Sequence, residues 1–192
     1  MQACRITATD LACRRGDRVL FAGLSLDLHG GQALHVAGPN GIGKSSLIRI
    51  LAGLAPAYAG TVTREGAAGL LDERPALDPH QPLGKALHFW SAMDAAQTDA
   101  CARLGLADLL DVPVRYLSTG QKKRAALARL IAQDAPVWLL DEPLNGLDVH
   151  AVALVESLAA QHCASGGLCI IASHQAMALP GMTRLELEGV AL

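Results

Sequence analysis

The residues most suited to chemistry in this 192-residue chain lie in one glycine-rich segment. The segment reads Gly38-Pro39-Asn40-Gly41-Ile42-Gly43-Lys44-Ser45, and Ser46 follows it. It fits the pattern G-x-x-x-x-G-K-[ST] at every fixed position, which is the pattern of loops that bind nucleotide phosphates. A tight strand-to-helix turn with incidental glycines is the alternative interpretation. The spacing favours a nucleotide-binding loop over residues 38–46.

Each residue type in this loop has a physical reason. Glycine adopts backbone conformations that other residues resist, and it lets the chain approach a phosphate closely. Successive N–H groups can then form an anion-binding nest, to which the following helix adds its positive dipole end. We expect Lys44 to bind the β- and γ-phosphates of a nucleotide and the Ser45 hydroxyl to bind Mg²⁺.

Two adjacent acids, Asp141 and Glu142, follow the apolar run at residues 137–140. Such a run is typical of a buried parallel strand, whose carboxyl end faces the ligand crevice of an open α/β sheet. We therefore expect Asp141 to hold Mg²⁺ and Glu142 to polarise the attacking water as a general base. A helix cap or a solvated turn would also use such a pair, but the phosphate loop favours the catalytic interpretation.

A third segment, Leu117-Ser118-Thr119-Gly120-Gln121, opens a predicted helix. A serine at the start of a helix, with a glycine beside it, can present its hydroxyl and backbone amides to an anion. The basic residues in the first turn, at 122–124, oppose the helix dipole, which indicates an anion nearby. An ordinary capping motif with a solvated basic face is an equally good interpretation of this segment alone.

The elements that must position these residues alternate between strands and helices. Apolar runs and period-two patterns predict strands at residues 19–28, 33–37, 61–63, 70–71, 137–140, 168–172 and 184–187. Helical spacing predicts helices at residues 45–54, 83–110, 121–131 and 149–164. This order indicates a single α/β domain over residues 1–192, with a small helical insert.

Composition excludes several classes of function. A net charge of −2 and only 3% aromatic residues argue against a nucleic-acid partner. The five cysteines are odd in number and form no C-x-x-C pair, which argues against a disulfide framework or a zinc site. No apolar run reaches the roughly 18–20 residues that span a bilayer, and no signal peptide is visible, so a membrane role requires a partner.

Together these segments resemble the nucleotide-binding subunit of ABC transporters over essentially the whole chain. Residues 117–121 resemble the family signature L-S-G-G-Q, with Thr119 in place of its first glycine. Residues 145–148, which read Asn-Gly-Leu-Asp, match the family's D-loop. His174, after the strand predicted at 168–172, matches the switch histidine that contacts the γ-phosphate. A single histidine is more often a structural, partly buried residue, so this match depends on its place at a strand end.

The resemblance implies a fold and a working assembly. The fold is a P-loop NTPase of the ABC type, with a mostly parallel core sheet, an N-terminal antiparallel β part and a helical subdomain at about residues 76–130. Two copies sandwich two ATP molecules head to tail, with Mg²⁺ as cofactor. The signature residues Ser118, Thr119, Gly120 and Gln121 then act in trans, and Asp148 crosses the dimer interface. Glu142 and His174 are the catalytic residues that the resemblance implies.

Two positions depart from the family pattern. The aromatic residue on which adenine usually stacks is replaced by Arg14 or Arg15, and an arginine plane can also stack on a base. The glutamine of the Q-loop is missing from the stretch Asp72-Glu73-Arg74-Pro75, and we expect Arg74 to occupy its place, with Glu73 beside it. Relaxed base selectivity and altered coupling or slow hydrolysis are the expected consequences.

Within the family, four local features resemble the ATPase of haem exporters that serve cytochrome c maturation. They lie at residues 11–21, 87–90, 117–130 and 173–175. The resemblance implies a subunit on the cytoplasmic side of the bacterial inner membrane, bound to a separate permease. It implies ATP hydrolysis coupled to haem export, or to release of haem from its periplasmic carrier. No motif in the chain contacts haem directly.

Three alternatives stay open at this point. An ATPase subunit of another ABC importer or exporter would have the same motifs, because specificity lies in the permease. A soluble ABC ATPase in translation, repair or iron–sulfur assembly would usually carry a second such domain, a basic surface or a long coiled-coil insert. A small-molecule P-loop kinase would not need residues 117–121 or His174.

Overall fold

Two β-sheets and five α-helices make up the fold of the computed structural model, which describes residues 3–93 and 100–189. The strands are β1 Arg5–Arg15, β2 Arg18–His29, β3 Ala33–Ala37, β4 Ala59–Glu65, β5 Ala68–Leu71, β6 Val137–Asp141, β7 Leu168–Ala172 and β8 Thr183–Glu186. The helices are α1 Lys44–Leu51, α2 Leu83–Met93, α3 Ala100–Arg103, α4 Thr119–Ala132 and α5 Val149–Ala164. Short 3₁₀ helices cover Ala107–Leu109 and Val114–Tyr116.

The larger sheet positions the phosphate loop and the two predicted acids. Its strand order is β5-β6-β7-β3-β8, and every neighbouring pair is parallel. All residues of β3, β6 and β7 are buried, which explains why these strands are apolar except at His35 and Asp141. In β6, Val137 and Leu139 join one hydrophobic cluster while Trp138 and Leu140 join another on the opposite face. The carboxyl ends of these strands therefore meet at one edge, as predicted for the acids and the phosphate loop.

The smaller sheet is antiparallel, with strand order β2-β1-β4. Its buried residues, among them Ile6, Leu11 and Phe21, belong to the same cluster as Leu47 and Leu51 of α1. The sheet thus forms a layer that helps to enclose α1 on the parallel sheet. This layer confirms the predicted N-terminal antiparallel part.

Helices α2, α3 and α4 form the helical region, in which α2 and α3 pack against α4. The predicted helix at 83–110 is wrong in its last part, because α3 ends at Arg103 and Gly105 takes a left-handed backbone with φ 62°. A 3₁₀ helix follows at Ala107–Leu109, and residues 94–99 of that prediction lie outside the described residues. The subdomain limits of about 76–130 stay a prediction; α4 itself continues to Ala132.

Helix α1 is shorter than predicted. It ends at Leu51 rather than at residue 54, because Gly53 has φ 75° and the Leu54 N–H donates to the Arg49 carbonyl. This backbone pattern is typical of a helix that a glycine terminates. Leu54, which the sequence placed on the buried face, is therefore exposed.

Three observations concern membranes, thiols and metals. Over the described ranges, no helix combines the length and apolar character that crossing a bilayer requires. All five cysteines are free thiols. The same ranges contain no cluster of three or more histidine, cysteine or acidic residues arranged to hold a metal ion.

Candidate nucleotide-binding site

The loop between β3 and α1 has the backbone that its glycines predict. Gly38, Gly41 and Gly43 have φ of 139°, 81° and 117°, a region that other residues rarely adopt. A Cβ at Gly43 would also lie 3.1 Å from the Phe21 ring and 3.2 Å from Leu20. Space and conformation therefore both require glycine at this position. The loop delivers the N-terminus of α1, at Lys44, to the edge of the sheet where the strands end.

Lys44 is held inside this loop. Its side chain is buried, and Nζ donates to the carbonyl oxygens of Gly38 at 2.8 Å and Pro39 at 3.2 Å. Nζ also lies 3.7 Å from Glu142 Oε1. The ammonium is thus already in the loop, and its donors can exchange carbonyl partners for phosphate oxygens.

Ser45 and Asp141 meet across the sheet edge, as predicted. Ser45 Oγ donates to Asp141 Oδ1 at 2.9 Å. Burial raises the pKa of Asp141, the Ser45 hydrogen bond opposes that rise, and the charges of Glu142, Asp72 and Glu73 add to it. Hard oxygen donors in a negatively charged setting are the ligands that Mg²⁺ prefers. The residues present therefore fit the predicted metal.

Glu142 and His174 also come together. His174 Nδ1 lies 2.9 Å from Glu142 Oε2, while Lys44 lies near the other carboxylate oxygen. The Glu142 side chain is mostly enclosed, at 15% exposure, whereas that of His174 is 43% exposed. Glu142 also has φ 48°, an uncommon backbone for a non-glycine residue. A carboxylate fixed in this way, beside the phosphate loop, is arranged to accept a proton from water.

A cleft of about 350 Å³ connects these groups and distinguishes the two arginines. Arg15 and Leu20 line it together with the phosphate loop, Glu142 and His174. The Arg14 guanidinium instead stacks over the Tyr58 ring, 4.6 Å from its centroid. Of the two candidates for the adenine contact, the structure places Arg15 at the cleft.

The stretch after β5 places an acid at the cleft. Glu73, rather than Arg74, is the residue of this stretch that lines the cleft. The reason is a local turn, in which Asp72 Oδ1 accepts from the Arg74 N–H at 2.8 Å. Asp72 is in turn 3.5 Å from the Arg49 guanidinium of α1. A carboxylate therefore lines the cleft beside Arg74, and the assignment of Arg74 to the place of the missing glutamine stays a prediction.

The signature segment lies outside this cleft in the single chain. Ser118 caps α4 through a capping box, in which its Oγ accepts from the Gln121 N–H and Gln121 Oε1 accepts from the Ser118 N–H. Ser118 and Thr119 are exposed, and Gly120 packs near the Gly146 carbonyl. Ser118 and Thr119 therefore lie at the surface, where a neighbouring molecule can reach them.

Asp148 caps a helix of its own chain. This role is separate from the dimer contact that the sequence predicts for it. Its Oδ1 accepts from the Ala151 N–H at 2.8 Å and so caps α5. The residue is exposed. Its contact with a second copy stays a prediction.

Sequence reasoning missed the partner of Lys123. The basic first turn of α4 indicated a nearby anion, and the structure shows that Lys123 Nζ donates to the Glu142 carbonyl at 2.7 Å. Burial lowers the pKa of Lys123, and the carboxylates of Glu73, Asp141, Glu142 and Asp72 oppose that effect. The anions near α4 thus include the protein's own acids.

Known proteins share this arrangement. A family profile described as "ABC transporter" matches residues 21–145. A protein of Novosphingobium aromaticivorans named "Cytochrome c biogenesis ATP-binding export protein CcmA" is 61% identical over 98% of this chain and 98% of its own length. A protein of the same name from Methylococcus capsulatus is 41% identical, covering 96% of this chain and 98% of its own.

Solved structures agree on the fold. A chain titled "RNase-L Inhibitor" superposes with a TM-score of 0.78 at 24% identity, covering 88% of this chain and 34% of its own. A metal-chelate type ABC transporter in an inward-facing conformation gives a TM-score of 0.72 at 25% identity, with 90% and 74% covered. The first of these likenesses concerns the fold alone.

Proposed function

The chain belongs to the ABC transporter family of ATP-binding proteins, among the cytochrome c biogenesis export proteins, and we propose that haem is the molecule whose movement it drives. It is an ATPase whose hydrolysis is coupled to transport. Haem export, or haem release from a carrier, is the form of this transport that c-type cytochrome assembly requires.

One observation carries the mechanism: the Glu142 carboxylate is fixed between His174 and Lys44, at the mouth of the phosphate loop. In this mechanism Lys44 and the loop amides grip the β- and γ-phosphates. Glu142 then accepts a proton as a water oxygen forms a bond to the γ-phosphorus, and the bond from that phosphorus to the β–γ bridging oxygen breaks. ADP and inorganic phosphate are the products. His174 holds the carboxylate in place and faces the γ-phosphate.

Mg²⁺ belongs to this proposal as cofactor, held by Ser45 and Asp141. When bound, it neutralises negative charge on the β- and γ-phosphate oxygens. The carboxylates that raise the pKa of Asp141 give the site an excess of negative charge suited to a divalent ion. We expect EDTA to abolish hydrolysis while ATP alone still binds the loop.

The assembly proposed here is a head-to-tail pair of chains. The phosphate loop of one chain holds ATP, and Ser118, Thr119, Gly120 and Gln121 of the other close over the γ-phosphate. Exposure of Ser118 and Thr119 outside their own chain's cleft supports this arrangement. We further propose that an integral-membrane permease binds the pair at the cytoplasmic side of the inner membrane.

Glu142→Gln tests the hydrolytic mechanism. The substitution keeps the shape and the neighbours of the side chain but removes the base. ATP affinity should stay within about threefold of the native value, while kcat falls about hundredfold or more, within the range for loss of general-base catalysis. An ATP-dependent dimer should accumulate on size exclusion. A native rate of hydrolysis would remove Glu142 as the base.

Replacement of the native chain in its bacterium tests the haem role. With Glu142→Gln, membranes should lose haem-stained c-type cytochromes while the variant chain is still produced. Glu65→Gln is the matched control, because it makes the same chemical change at an exposed position of β4. Normal c-type cytochromes in the Glu142→Gln strain would show that the chain serves another export process.

A further inference from the structure

Lys123 reaches from the signature helix to the backbone of the catalytic acid in the same chain. It is the fifth residue of α4, five residues after the capping Ser118. Its Nζ donates to the Glu142 carbonyl at 2.7 Å, across a separation of 19 residues. Lys123 is half-buried, so its ammonium is directed into the molecule rather than toward solvent. This contact joins the two segments that act on different nucleotides in a head-to-tail pair.

The backbone of Glu142 needs such a contact. Its φ of 48° is a conformation that a non-glycine residue keeps only where surrounding contacts determine it. On its amino side, the Glu142 N–H extends the β6–β7 pairing by donating to the Ala172 carbonyl at 2.8 Å. On its carboxyl side, the long 3.4 Å bond from the Asn145 N–H accompanies the short one from Lys123. Lys123 is thus the stronger constraint on the peptide group that follows Glu142.

The surrounding charges favour this placement of an ammonium. Four carboxylates face Lys123, on Glu73, Asp141, Glu142 and Asp72. These carboxylates oppose the lowering of the Lys123 pKa by burial, so they favour the charged ammonium that donates to the Glu142 carbonyl. Removal of the ammonium would break the hydrogen bond to the Glu142 carbonyl. It would also leave the repulsion between the Glu142 carboxylate and the neighbouring carboxylates uncompensated.

We propose that Lys123 is a positioning residue for hydrolysis, which fixes the backbone of Glu142 and so ties the signature helix to the catalytic carboxylate of its own chain. This inference rests on the proposed role of Glu142 as the base. It gives the two ATP sites of a pair a mechanical connection. When the N-terminus of α4 engages the second nucleotide, any shift of the helix passes through Lys123 to the Glu142 of the first site.

Steady-state kinetics of Lys123→Met test the proposal. The substitution keeps the length and apolar stem of the side chain and removes the donor. We expect kcat to fall about tenfold to hundredfold, the loss that a charge-assisted hydrogen bond implies, with KM for ATP and ATP affinity within about twofold. Lys123→Arg should restore part of kcat, because a guanidinium can donate to the same carbonyl. Lys85→Met, which removes an exposed ammonium from α2, is the control.

Lys123→Met in a Glu142→Gln background distinguishes the positioning role of Lys123 from the role of Glu142 as the base. If Lys123 acts through the carboxylate, Lys123→Met should cause no further loss of single-turnover rate in that background. An equal loss of single-turnover rate in both backgrounds would overturn the proposal. A raised KM with native kcat would also overturn it, because it would show that Lys123 contacts the nucleotide directly. If Lys123→Met does not fold, Lys123→Leu, which also removes the donor, carries the same test. Loss of activity in Glu142→Gln with native activity in Lys123→Met would overturn the positioning role and leave the base assignment intact.

Discussion

An arginine faces the part of the cleft where the base of the nucleotide would lie, because Arg15 lines it beside Leu20 while Arg14 stacks on Tyr58. A guanidinium plane stacks on any base and makes no adenine-specific contact there. We expect ATP and GTP to bind within about tenfold of each other, and Arg15→Ala to weaken both about threefold to tenfold, the loss of about 1 kcal/mol of stacking. Fluorescence titration with both nucleotides checks this. Arg14→Ala is the control and should change neither affinity. The prediction is contradicted if ATP binds about a hundredfold tighter than GTP and Arg15→Ala leaves the ratio of the two affinities unchanged.

Asp141 couples the metal site to the stability of the nucleotide-free protein. Burial raises its pKa, with the nearby carboxylates adding to the effect. A carboxyl whose folded-state pKa is raised stabilises the fold when protonated, and that stability is lost as the pH rises through the raised value. We expect Asp141→Asn to raise Tm by about 2–4 °C at pH 7–8, the shift that about 1 kcal/mol gives at this size, while hydrolysis is lost.

The gain in Tm from Asp141→Asn should shrink as the pH falls toward about 4, where the native carboxyl is also protonated. Differential scanning calorimetry of the two proteins across this range measures the effect. Asp17→Asn, in the exposed turn between β1 and β2, is the matched control. A Tm that falls at pH 7–8 would show that the Ser45 hydrogen bond outweighs the charge cluster.

Ser118 caps its own helix, and in the proposed pair it also contacts the second nucleotide. Two substitutions separate these roles. Ser118→Ala removes the cap and should lower the free energy of unfolding by about 1 kcal/mol. It should also lower the ATPase activity. Ser118→Asp keeps the cap, so thermal stability should be retained while the added negative charge opposes the γ-phosphate and lowers kcat. Thermal unfolding and ATPase rate, measured on both variants, check the prediction. Native activity in Ser118→Asp would exclude a phosphate contact.

The sequence predicted best the limits of those elements whose ends are marked by a turn or by a capping residue. β3, β7 and α5 have the predicted limits, since a glycine-rich turn follows β3 and Asp148 caps α5. The end of α1 was missed because the apolar spacing continues to Leu54, and only the backbone at Gly53 shows the stop. Likewise, apolar spacing ran past the left-handed turn at Gly105, which ends α3.

The candidate site divides in the same way. Lys44, Ser45, Asp141 and Glu142 were predictable, because each follows from a local pattern and from the rule that parallel strand ends share one edge. The Lys123 contact with the Glu142 carbonyl depends on how α4 packs near the end of β6, which no local pattern specifies. The same holds for Glu73, whose place at the cleft depends on a turn closed by the Asp72 side chain.

At the scale of the whole molecule, the two halves of the proposed site, the phosphate loop and the signature segment, do not meet within one chain. The phosphate loop, Glu142 and His174 line one cleft, while Ser118 and Thr119 are exposed outside it. In the proposed head-to-tail pair, each of two sites takes its loop from one chain and its signature from the other. Complementation between two inactive variants tests this assembly. Lys44→Ala disables the loop half, and Ser118→Arg disables the signature half.

An equal mixture of these two variants should regain about a quarter of native ATPase activity, because half of the pairs are mixed and each mixed pair has one intact site out of two. Each variant alone should be inactive. Lys44→Ala mixed with Glu142→Gln is the control: both changes lie in the loop half, so every site in a mixed pair stays defective and no activity should return. Recovery in both mixtures, or in neither, would contradict the head-to-tail pair, since only that arrangement draws the two halves of a site from different chains.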